Sequence, residues 1–447
     1  MLQFIKVFNK KIILLFLKII NNIDFLETVK TLILRLFGII SLFGFTIYIT
    51  NNYPIEIVGQ YDFVRTYLLV IGCICMLGTD QSILYFAGFL RSRNDLAKIN
   101  TVYQRMILMM VACSIILFLV FMLIGKYNIN HLFKDIYLYN ILLKSNFVVV
   151  CYAITLFNTE VMRSLDNIYL SELFRNTFKY ITVILGSVIL ILINKQKYLV
   201  DVFLGGFVLL AIISSIIVCG KLRKIKSTIA IYYDNELLSY SNVLKKSYPI
   251  AISSAAIFLL TTFDVFFLKT NYGSDEVAKY SVGAKMMTII AMIIQMINVN
   301  ASSKIAKCYA AKDYVGLQDV VKNAVRMTSL FSVPIVIILV FLSNFILNFF
   351  GRVYHDAKYS MIILVSCQGM IALFGVSTMY LNMTERQFVF QYLLIFAVVF
   401  NFFLNFILTP VYGMIGASIS FGITLLFWNI FVVVYVFKKD NIKLYLH

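Results

Sequence analysis

Apolar stretches of about 20 residues follow one another along the whole chain, and they constrain its fold more than any short motif does. Mean hydropathy is +0.89 and only 13% of the residues are charged, which leaves too little polar surface to cover a water-soluble core. Inside a bilayer, backbone groups must be satisfied by helices or by a closed barrel, and continuous windows of this length favour helices. The predicted spans cover residues 31–50, 63–89, 106–125, 141–160, 180–194, 199–219, 249–268, 280–300, 327–349, 359–381, 388–408 and 414–437. The sequence therefore predicts an all-α polytopic membrane protein with about 12 transmembrane helices.

The distribution of Lys and Arg between the spans predicts the orientation of the chain. The segments assigned to the inside contain 27 of these residues, and the segments assigned to the outside contain eight. Positive residues concentrate in short cytoplasmic loops, so we expect a multi-pass protein of the cell inner membrane with both termini in the cytoplasm. The basic loops are short and separated by spans, so the net charge of +18 does not indicate a nucleic-acid partner.

The chain divides into two halves of six predicted spans each. Residues 31–219 form a predicted N-lobe and residues 249–437 a predicted C-lobe, joined by a basic cytoplasmic linker at 220–248. Residues 1–30 are a predicted cytoplasmic or interfacial segment, and residues 438–447 are a predicted cytoplasmic tail.

A short internal repeat supports this division. The stretch "EIVGQYDFVRT" (Glu56–Thr66) aligns without gaps with "DEVAKYSVGAK" (Asp275–Lys285). Each places Val, a small residue, a polar residue and Tyr at the start of a span. Because each half has six spans, the two copies share one orientation, which predicts a pseudo-twofold axis along the membrane normal and two six-helix lobes around a central cavity.

The apolar run at residues 12–20 follows Lys10 and Lys11 and resembles the start of a signal peptide. The sequence that follows, "NNIDFLETVK", contains no small-x-small cleavage site. We therefore expect this segment to be retained, as an interfacial amphipathic helix that leads into the first span.

The cysteines and histidines do not predict a metal or cofactor site. None of the seven Cys residues has metal-ligand spacing, and all three His residues lie outside the predicted spans. No P-loop pattern occurs either, so direct use of ATP is not expected.

Four cations lie within the predicted spans instead of between them: Arg35, Arg65, Lys144 and Lys285. A charge in hydrocarbon is costly, so such residues either face a wet cavity or extend to the headgroups by snorkelling. The functional interpretation is a cationic, substrate-binding pathway, with Arg35 near inward loading and the other three toward release. Arg65 and Lys285 come from matching repeat segments, one residue apart in the alignment, as expected of positions that line a cavity from two lobes.

Two acidic residues are also placed in spans: Asp80, in "LGTDQS", and Asp264, in "TTFDVF". An acid in a membrane is costly unless it is paired, hydrated or protonated, so each is a candidate for proton or sodium coupling. A structural ion pair or a helix-end contact is the alternative interpretation. Asn401 and Asn405 share a helix face at i,i+4, where interhelical hydrogen bonds or a joint role are expected.

The stretch "LTPVYGMIGASISFGIT" (Leu408–Thr424) places Pro and Gly in a short outside turn before a stripe of small residues. Together with Tyr61–Phe86, Phe263–Lys285 and Lys304–Pro334, it resembles polysaccharide flippases of the multidrug/oligosaccharidyl-lipid/polysaccharide exporter superfamily, closest to the O-antigen (Wzx-type) transporters. The resemblance covers essentially the full length.

This resemblance implies a transporter without enzymatic activity. The implied substrate is an undecaprenyl-pyrophosphate-linked oligosaccharide, an O-antigen or capsule/exopolysaccharide repeat unit, moved from the inner to the outer leaflet by alternating access. The implied partners are the lipid bilayer, the lipid-linked substrate, and polysaccharide polymerase and chain-length machinery. The four span cations fit such a substrate, because pyrophosphate is an anion that basic groups can hold in place of water.

Other functions stay open at this point. A multidrug or cation antiporter of the same superfamily would favour acidic and aromatic cavity residues, whereas span cations outnumber span aspartates four to two. A flippase for a peptidoglycan lipid precursor is another relative, although that family usually has two extra spans. An enzyme is not expected: the longest outside loop, at about 126–140, is small for a polysaccharide polymerase, and no His lies in a span as in membrane acyltransferases.

Overall fold

The computed structural model of the chain describes residues 23–93, 95–225 and 239–446, with side chains from residue 33 onward. The predicted interfacial helix at residues 12–20 lies outside the described residues. Within the described ranges every regular element is helical, which confirms the predicted all-α fold.

The helices fall into an N-terminal half (residues 23–225) and a C-terminal half (residues 239–446). The N-terminal half contains α1 (Ile23–Asn52), α2 (Ile55–Met76), α3 (Thr79–Ser92), α4 (Ile99–Phe133), α5 (Leu138–Ser164), α6 (Ile168–Leu173), α7 (Lys179–Leu192) and α8 (Leu199–Lys224). The C-terminal half contains α9 (Tyr240–Tyr272), α10 (Ser274–Ala310), α11 (Tyr314–Phe341), α12 (Ser343–Asn348), α13 (Lys358–Ala372), α14 (Ser377–Met383) and α15 (Gln387–Asp440). A π-helical turn, Phe174–Phe178, joins α6 to α7 without a break.

Ten described helical segments are long and apolar enough to cross a membrane, and a pair bent by 45°, Arg352–Ala372 with Ser377–Met383, is an eleventh candidate. Large apolar side chains cover the outer surface of these helices. Leu123, Phe147 and Phe341, for example, are each more than three-quarters exposed. Such a surface suits contact with acyl chains, so the chain is a multi-pass membrane protein.

The longest helix, α15, contains two of the predicted spans, 388–408 and 414–437. Its 54 residues would extend about 80 Å if straight, far more than a bilayer core. The backbone leaves helical geometry at Gly413, where φ is 55° and ψ is −132°. Beyond that point the chain folds back, because Asn401 donates a hydrogen bond to Thr424 and the rings of Phe400 and Phe427 lie 5.3 Å apart. The predicted turn between two spans is thus present in the structure.

The second predicted span, residues 63–89, is broken in the structure. Leu77 and Gly78 both adopt left-handed backbone conformations between α2 and α3. A Cβ on Gly78 would lie 2.3 Å from the carbonyl oxygen of Ser247 on α9, so only glycine permits this close approach. Hydropathy is averaged over a window and does not detect such a break. In the same way the structure ends the ninth span, predicted over 327–349, at Phe341.

The two halves meet mainly through α2 and α3 on one side and α9 and α10 on the other. α2 begins at Ile55 and α10 begins at Ser274, two positions that the alignment of the sequence repeat pairs with each other. These two helices approach closely, because a Cβ on Gly59 would lie 1.9 Å from the carbonyl oxygen of Ser274. The repeat segments therefore lie against each other where the two halves meet.

Candidate functional site

A pocket of about 150 Å³ lies between the two halves on the predicted cytoplasmic side. Arg35, on α1 about one turn inside the predicted inner end of the first span, lines this pocket. It donates two hydrogen bonds to Glu172 on α6, at 2.8 Å from Nη2 and 3.2 Å from Nε. Glu172 is only 1% exposed and also accepts a hydrogen bond from Asn176 at 2.7 Å. The bidentate geometry fixes the plane of the Arg35 guanidinium group.

Two further arginines line the same pocket. Arg163, at the end of α5, lies 3.7 Å from Glu160 and 3.9 Å from Glu172, both loose contacts. Arg175, in the π-helical turn, forms an ion pair with Glu160, which is almost fully buried. The Arg175 Nε group is buried and has no hydrogen-bond partner among the described residues. The pocket thus holds three guanidinium groups against two glutamates, and one donor is free to receive a ligand.

Asp80, a predicted ion-coupling residue, lies beside this cluster. It occupies the first turn of α3, directly after the break at Leu77 and Gly78, and it interacts electrostatically with Arg175. The break in the span therefore brings Asp80 toward the arginine pocket.

The opposite wall of the pocket comes from α10 in the C-terminal half. Met292, Gln295, Met296 and Val299 line it. Lys285 falls on the same stripe of α10 as Met292, Met296 and Val299, because the spacings of seven, eleven and fourteen positions return to one helix face. Lys285 lies about 10 to 20 Å farther along the helix, toward the predicted outer side. One face of α10 thus joins the inner pocket to the outer cations.

A second charged cluster lies where α2 meets α10. Lys285 is 3% exposed, and its Nζ lies 2.9 Å from Oδ1 of Asp62, which is fully buried. Arg65 lies on the same face of α2, and its Nε is 3.4 Å from the same carboxylate oxygen. The structure therefore brings Arg65 and Lys285 together around one anion, and this cluster contains two positive charges and one negative charge.

Asp264 lies in a polar cluster that belongs entirely to the C-terminal half. Its carboxylate accepts hydrogen bonds from the Tyr280 hydroxyl and from the Asn405 amide, the latter at 2.8 Å. Asn405 also donates to Asn401 at 3.2 Å and accepts from Thr409 at 2.8 Å. No Lys or Arg within the described residues lies within 4 Å of this carboxylate in an ion pair. A single buried acid held by neutral donors is an arrangement that can bind a proton or a small cation.

Lys144 does not lie with the other predicted pathway residues. It forms an ion pair with Asp201 at 2.6 Å, between α5 and α8 of the N-terminal half. This pair lines a groove on the outer surface of that half, away from the arginine pocket and from α10. Of the six predicted site residues, Arg35 therefore lines the inner pocket and Asp80 interacts with another arginine of that pocket, whereas Arg65 and Lys285 share the outer cluster. Asp264 and Lys144 each lie apart.

Several members of these clusters are not predicted from the sequence. The predicted spans leave Arg163 and Arg175 in a cytoplasmic loop and Glu160 at the membrane interface. In the structure, helix α5 continues to Ser164 and the next helix resumes at Ile168, so these residues lie within the helical bundle. Asp62 precedes the predicted start of its span by one residue. Its place in the repeat segment, three positions before Arg65, is the available signal.

The fold is shared with solved structures of membrane transporters. The lipid II flippase MurJ, in an inward closed conformation, matches with a TM-score of 0.71 over 93% of this chain and 88% of that chain, at 13% identity. The MATE multidrug transporter DinF-BH matches with a TM-score of 0.65 over 94% of this chain and 96% of that chain, at 16% identity. The architecture is therefore the two-half helical fold of these transporters.

Sequence similarity points to the same group of proteins. Residues 249–407 match the MatE family model. The probable multidrug resistance protein NorM of Photorhabdus laumondii is 25% identical over 208 residues, which cover 44% of this chain and 46% of that protein. The aligned region thus spans about half the length of this relative. The MatE match lies in the half that contains Asp264, Asn401 and Asn405.

Proposed function

We propose that this protein is a flippase that moves an undecaprenyl-pyrophosphate-linked oligosaccharide, an O-antigen or capsule/exopolysaccharide repeat unit, from the inner to the outer leaflet by alternating access. The observation that carries the proposal is the pocket into which Arg35, Arg163 and Arg175 converge between the halves. A planar guanidinium group can hold phosphate oxygens through two parallel hydrogen bonds. Three such groups in one pocket supply what a pyrophosphate needs when it leaves water.

The glutamates give the empty pocket a stable resting state. Without a ligand, each of the three arginines forms an ion pair with Glu160 or Glu172, and the buried charge is largely compensated. An incoming pyrophosphate competes with the carboxylates for the same donors. It gains most at Arg163, whose contacts are long, and at Arg175, which has a free Nε group. The arginines of the pocket thus exchange carboxylate partners for phosphate partners and are paired with an anion in both states.

Arg65 and Lys285 form the second station of the proposed pathway. In the resting structure the Lys285–Asp62 ion pair links α2 to α10 across the two halves. When the pyrophosphate moves along the shared face of α10, it can replace Asp62 as the partner of Lys285. Loss of the Lys285–Asp62 pair then removes a link between the halves near the predicted outer side. Binding of the anion and opening of the outer side are coupled in this way.

The decisive test is surface polysaccharide display in cells that depend on this protein. Arg35→Gln combined with Glu172→Gln removes one cation and its own partner, so no unpaired buried charge remains. Replacement of Arg65 and Lys285 by Gln together with Asp62→Asn tests the second station, and it too leaves no buried charge unpaired. Both combined variants should stop display while the amount of protein in the membrane is unchanged.

The matched control is Arg91→Gln with Asp166→Asn, which removes an exposed ion pair on the predicted cytoplasmic side, outside the pocket. This control should display normally. Wild-type display by the Arg35 and Glu172 double variant would overturn the proposed role of the pocket. If this protein instead restores growth to a host that lacks its own peptidoglycan-precursor flippase, the peptidoglycan precursor is favoured as the substrate.

We further propose that Asp264 couples transport to an ion gradient, with Asn401 and Asn405 as neutral partners. Asp264→Asn keeps the shape of the side chain and removes the titratable group. Transport by this variant should no longer respond to collapse of the proton or sodium gradient, whereas transport by the parent protein should. Unchanged gradient dependence in Asp264→Asn would reduce this residue to a structural role.

A multidrug or cation antiporter is the second candidate function. The carboxylate of Asp264 favours it, because this buried acid has no cationic partner among the described residues and could also hold a cationic drug. The similarity to NorM and to DinF-BH supports the same alternative. Drug susceptibility separates the two functions. Expression should raise resistance to cationic drugs in a sensitive host if the protein is an antiporter, and should leave it unchanged if the protein is a flippase.

A further inference from the structure

An open groove of about 470 Å³ runs along the outer surface of the N-terminal half, between α4, α5 and α8. Its walls are successive positions on single helix faces: Leu143, Lys144 and Phe147 on α5, and Asp201 and Gly205 on α8. Every residue that lines it belongs to the N-terminal half, so the groove is separate from the pocket between the halves. It faces the region that acyl chains occupy around a membrane protein.

One end of the groove is charged and the rest is apolar. The side chains of Lys144 and Asp201 are 57% and 36% exposed, and they form an ion pair at 2.6 Å. Both residues lie in the first two turns of their helices, within about 9 Å of the predicted outer ends. The position corresponds to the headgroup boundary of the outer leaflet. Exposed charges at this depth are stabilised when a polar group from the membrane covers them.

The apolar end of the groove has room for a chain. Gly205 is exposed, and a Cβ built on it would meet no atom within 4 Å. Phe147, which lines the same groove, is 77% exposed. Since Gly205 leaves the floor open directly below the ion pair, a hydrocarbon chain attached to a polar headgroup can lie over it.

We propose that this groove binds a membrane phospholipid with a zwitterionic, primary-amine headgroup, namely a phosphatidylethanolamine, with its phosphate at Lys144, its ammonium group at Asp201 and one acyl chain over Gly205. The ion pair opens to receive the headgroup, and each charge keeps an opposite charge as its partner. An anionic headgroup would satisfy Lys144 but would place a second negative charge beside Asp201. A choline headgroup is zwitterionic but has no N–H group to donate to the carboxylate.

The proposal is tested by native mass spectrometry of the purified full-length protein titrated with palmitoyl-oleoyl phosphatidylethanolamine, phosphatidylglycerol or phosphatidylcholine. One ethanolamine lipid should be retained, with an apparent affinity about tenfold above that of either other lipid, the difference expected for one charge-assisted hydrogen bond. Equal retention of the three lipids would overturn the proposed selectivity.

Variants of the ion pair locate the site. Lys144→Gln with Asp201→Asn should reduce the preference for the ethanolamine lipid to none. Exchange of the two charges, Lys144→Asp with Asp201→Lys, should retain it, because the groove still offers one charge of each sign. The matched control is Lys279→Gln with Asp356→Asn, which removes an ion pair of 2.7 Å that lies outside the groove. Loss of the preference in this control as well would show that the effect is not specific to the groove.

A third variant fills the groove without changing any charge. Gly205→Leu should abolish retention of the lipid by occupying the place of the acyl chain. Gly220→Leu is its control, since Gly220 is an exposed glycine near the other end of α8 whose added side chain also meets open space. Thermal unfolding should be similar for both variants. Retention of the ethanolamine lipid by a folded Gly205→Leu variant would overturn the proposal.

Discussion

The two halves of the molecule present the same tyrosine, at equivalent places, to different partners. Tyr61 on α2 and Tyr280 on α10 are paired by the alignment of the sequence repeat, and both are 2% exposed. Tyr61 packs edge-on against Phe45 of α1, with ring centroids 5.5 Å apart. Tyr280 donates a hydrogen bond to Asp264 of α9. The offset between Tyr61 and Tyr280 also pairs Phe45 with Asp264. The same contact between two helices therefore occurs in both halves, as an aromatic pair in one and as a polar pair in the other.

The difference extends to the surrounding residues. In the C-terminal half Asn405 gives Asp264 a second donor. The same offset leads from Asn405 to Gly186 in the N-terminal half, which has no side chain to donate. The scaffold is therefore shared, whereas at this helix contact the described residues supply a second neutral donor for a buried acid only in the C-terminal half. A repeat in the backbone does not require a repeat in the chemistry.

The largest effect is expected from moving the acid to the other half. Phe45→Asp removes a buried ring and places a carboxyl group where no donor equivalent to Asn405 exists. It should lower the free energy of unfolding by more than about 5 kcal/mol, the sum of a lost aromatic side chain and an unsatisfied buried polar group. Thermal unfolding in detergent, together with the amount of protein in the membrane, measures this. Phe45→Leu, which stays apolar, is the control and should fold. Normal folding of Phe45→Asp would show that this helix contact in the N-terminal half can also hold an acid.

The next largest effect concerns the ion pair that joins the halves. Asp62→Asn leaves Lys285 and Arg65 together without an anion and should cost about 3–5 kcal/mol. Lys285→Gln should cost less, because Arg65 remains 3.4 Å from Asp62. Asp62→Leu combined with Lys285→Met should recover most of the stability, since it removes both members of the buried ion pair.

Unfolding curves of these three variants give the ranking directly. The double variant should fold and yet fail to transport, because the outer cluster has lost Lys285. A smaller loss for Asp62→Asn than for Lys285→Gln would contradict the cluster geometry.

The smallest effect comes from the tyrosines themselves. Tyr280→Phe removes one donor from the buried Asp264 and should cost about 1–3 kcal/mol. Tyr61→Phe keeps the packing against Phe45, and no hydrogen bond of the Tyr61 hydroxyl is present among the described residues, so its cost should be below about 0.5 kcal/mol. The two variants form a matched pair, measured under one condition. Equal losses of unfolding free energy in the two variants would contradict the proposed difference between the halves at this contact.

Much of the fold could be predicted because hydropathy is a local property. The spans, the turn near Gly413 and the repeat at Glu56 and Asp275 are all visible in the sequence. The break at Leu77 and Gly78 is not, because it depends on how closely α9 approaches. The shift of the ninth span's end to Phe341 reflects the same limit, since a window average does not locate the last helical residue.

The candidate site could be predicted only in part. Arg35, Arg65 and Lys285 stand out because they lie within apolar windows, where a charge is conspicuous. Arg163 and Arg175 do not, because they lie between windows and look like loop residues. Their inclusion in the pocket depends on helices that continue beyond the apolar stretch. Lys144 illustrates the opposite case: the window shows that it lies in a span but not which way that span faces.

The sequence by itself determined that the chain is an all-helical membrane protein, because every residue of a span must have its backbone groups satisfied in lipid, and helices achieve this locally. Tertiary structure alone decided which charges meet. Asp62 and Lys285 are 223 residues apart and Arg35 and Glu172 are 137 apart. Such pairs depend on the rotation and packing of whole helices, which hydropathy does not encode. Helix packing therefore places the cationic residues of the spans at three sites: an inner pocket, an outer cluster and a groove on the surface of the N-terminal half.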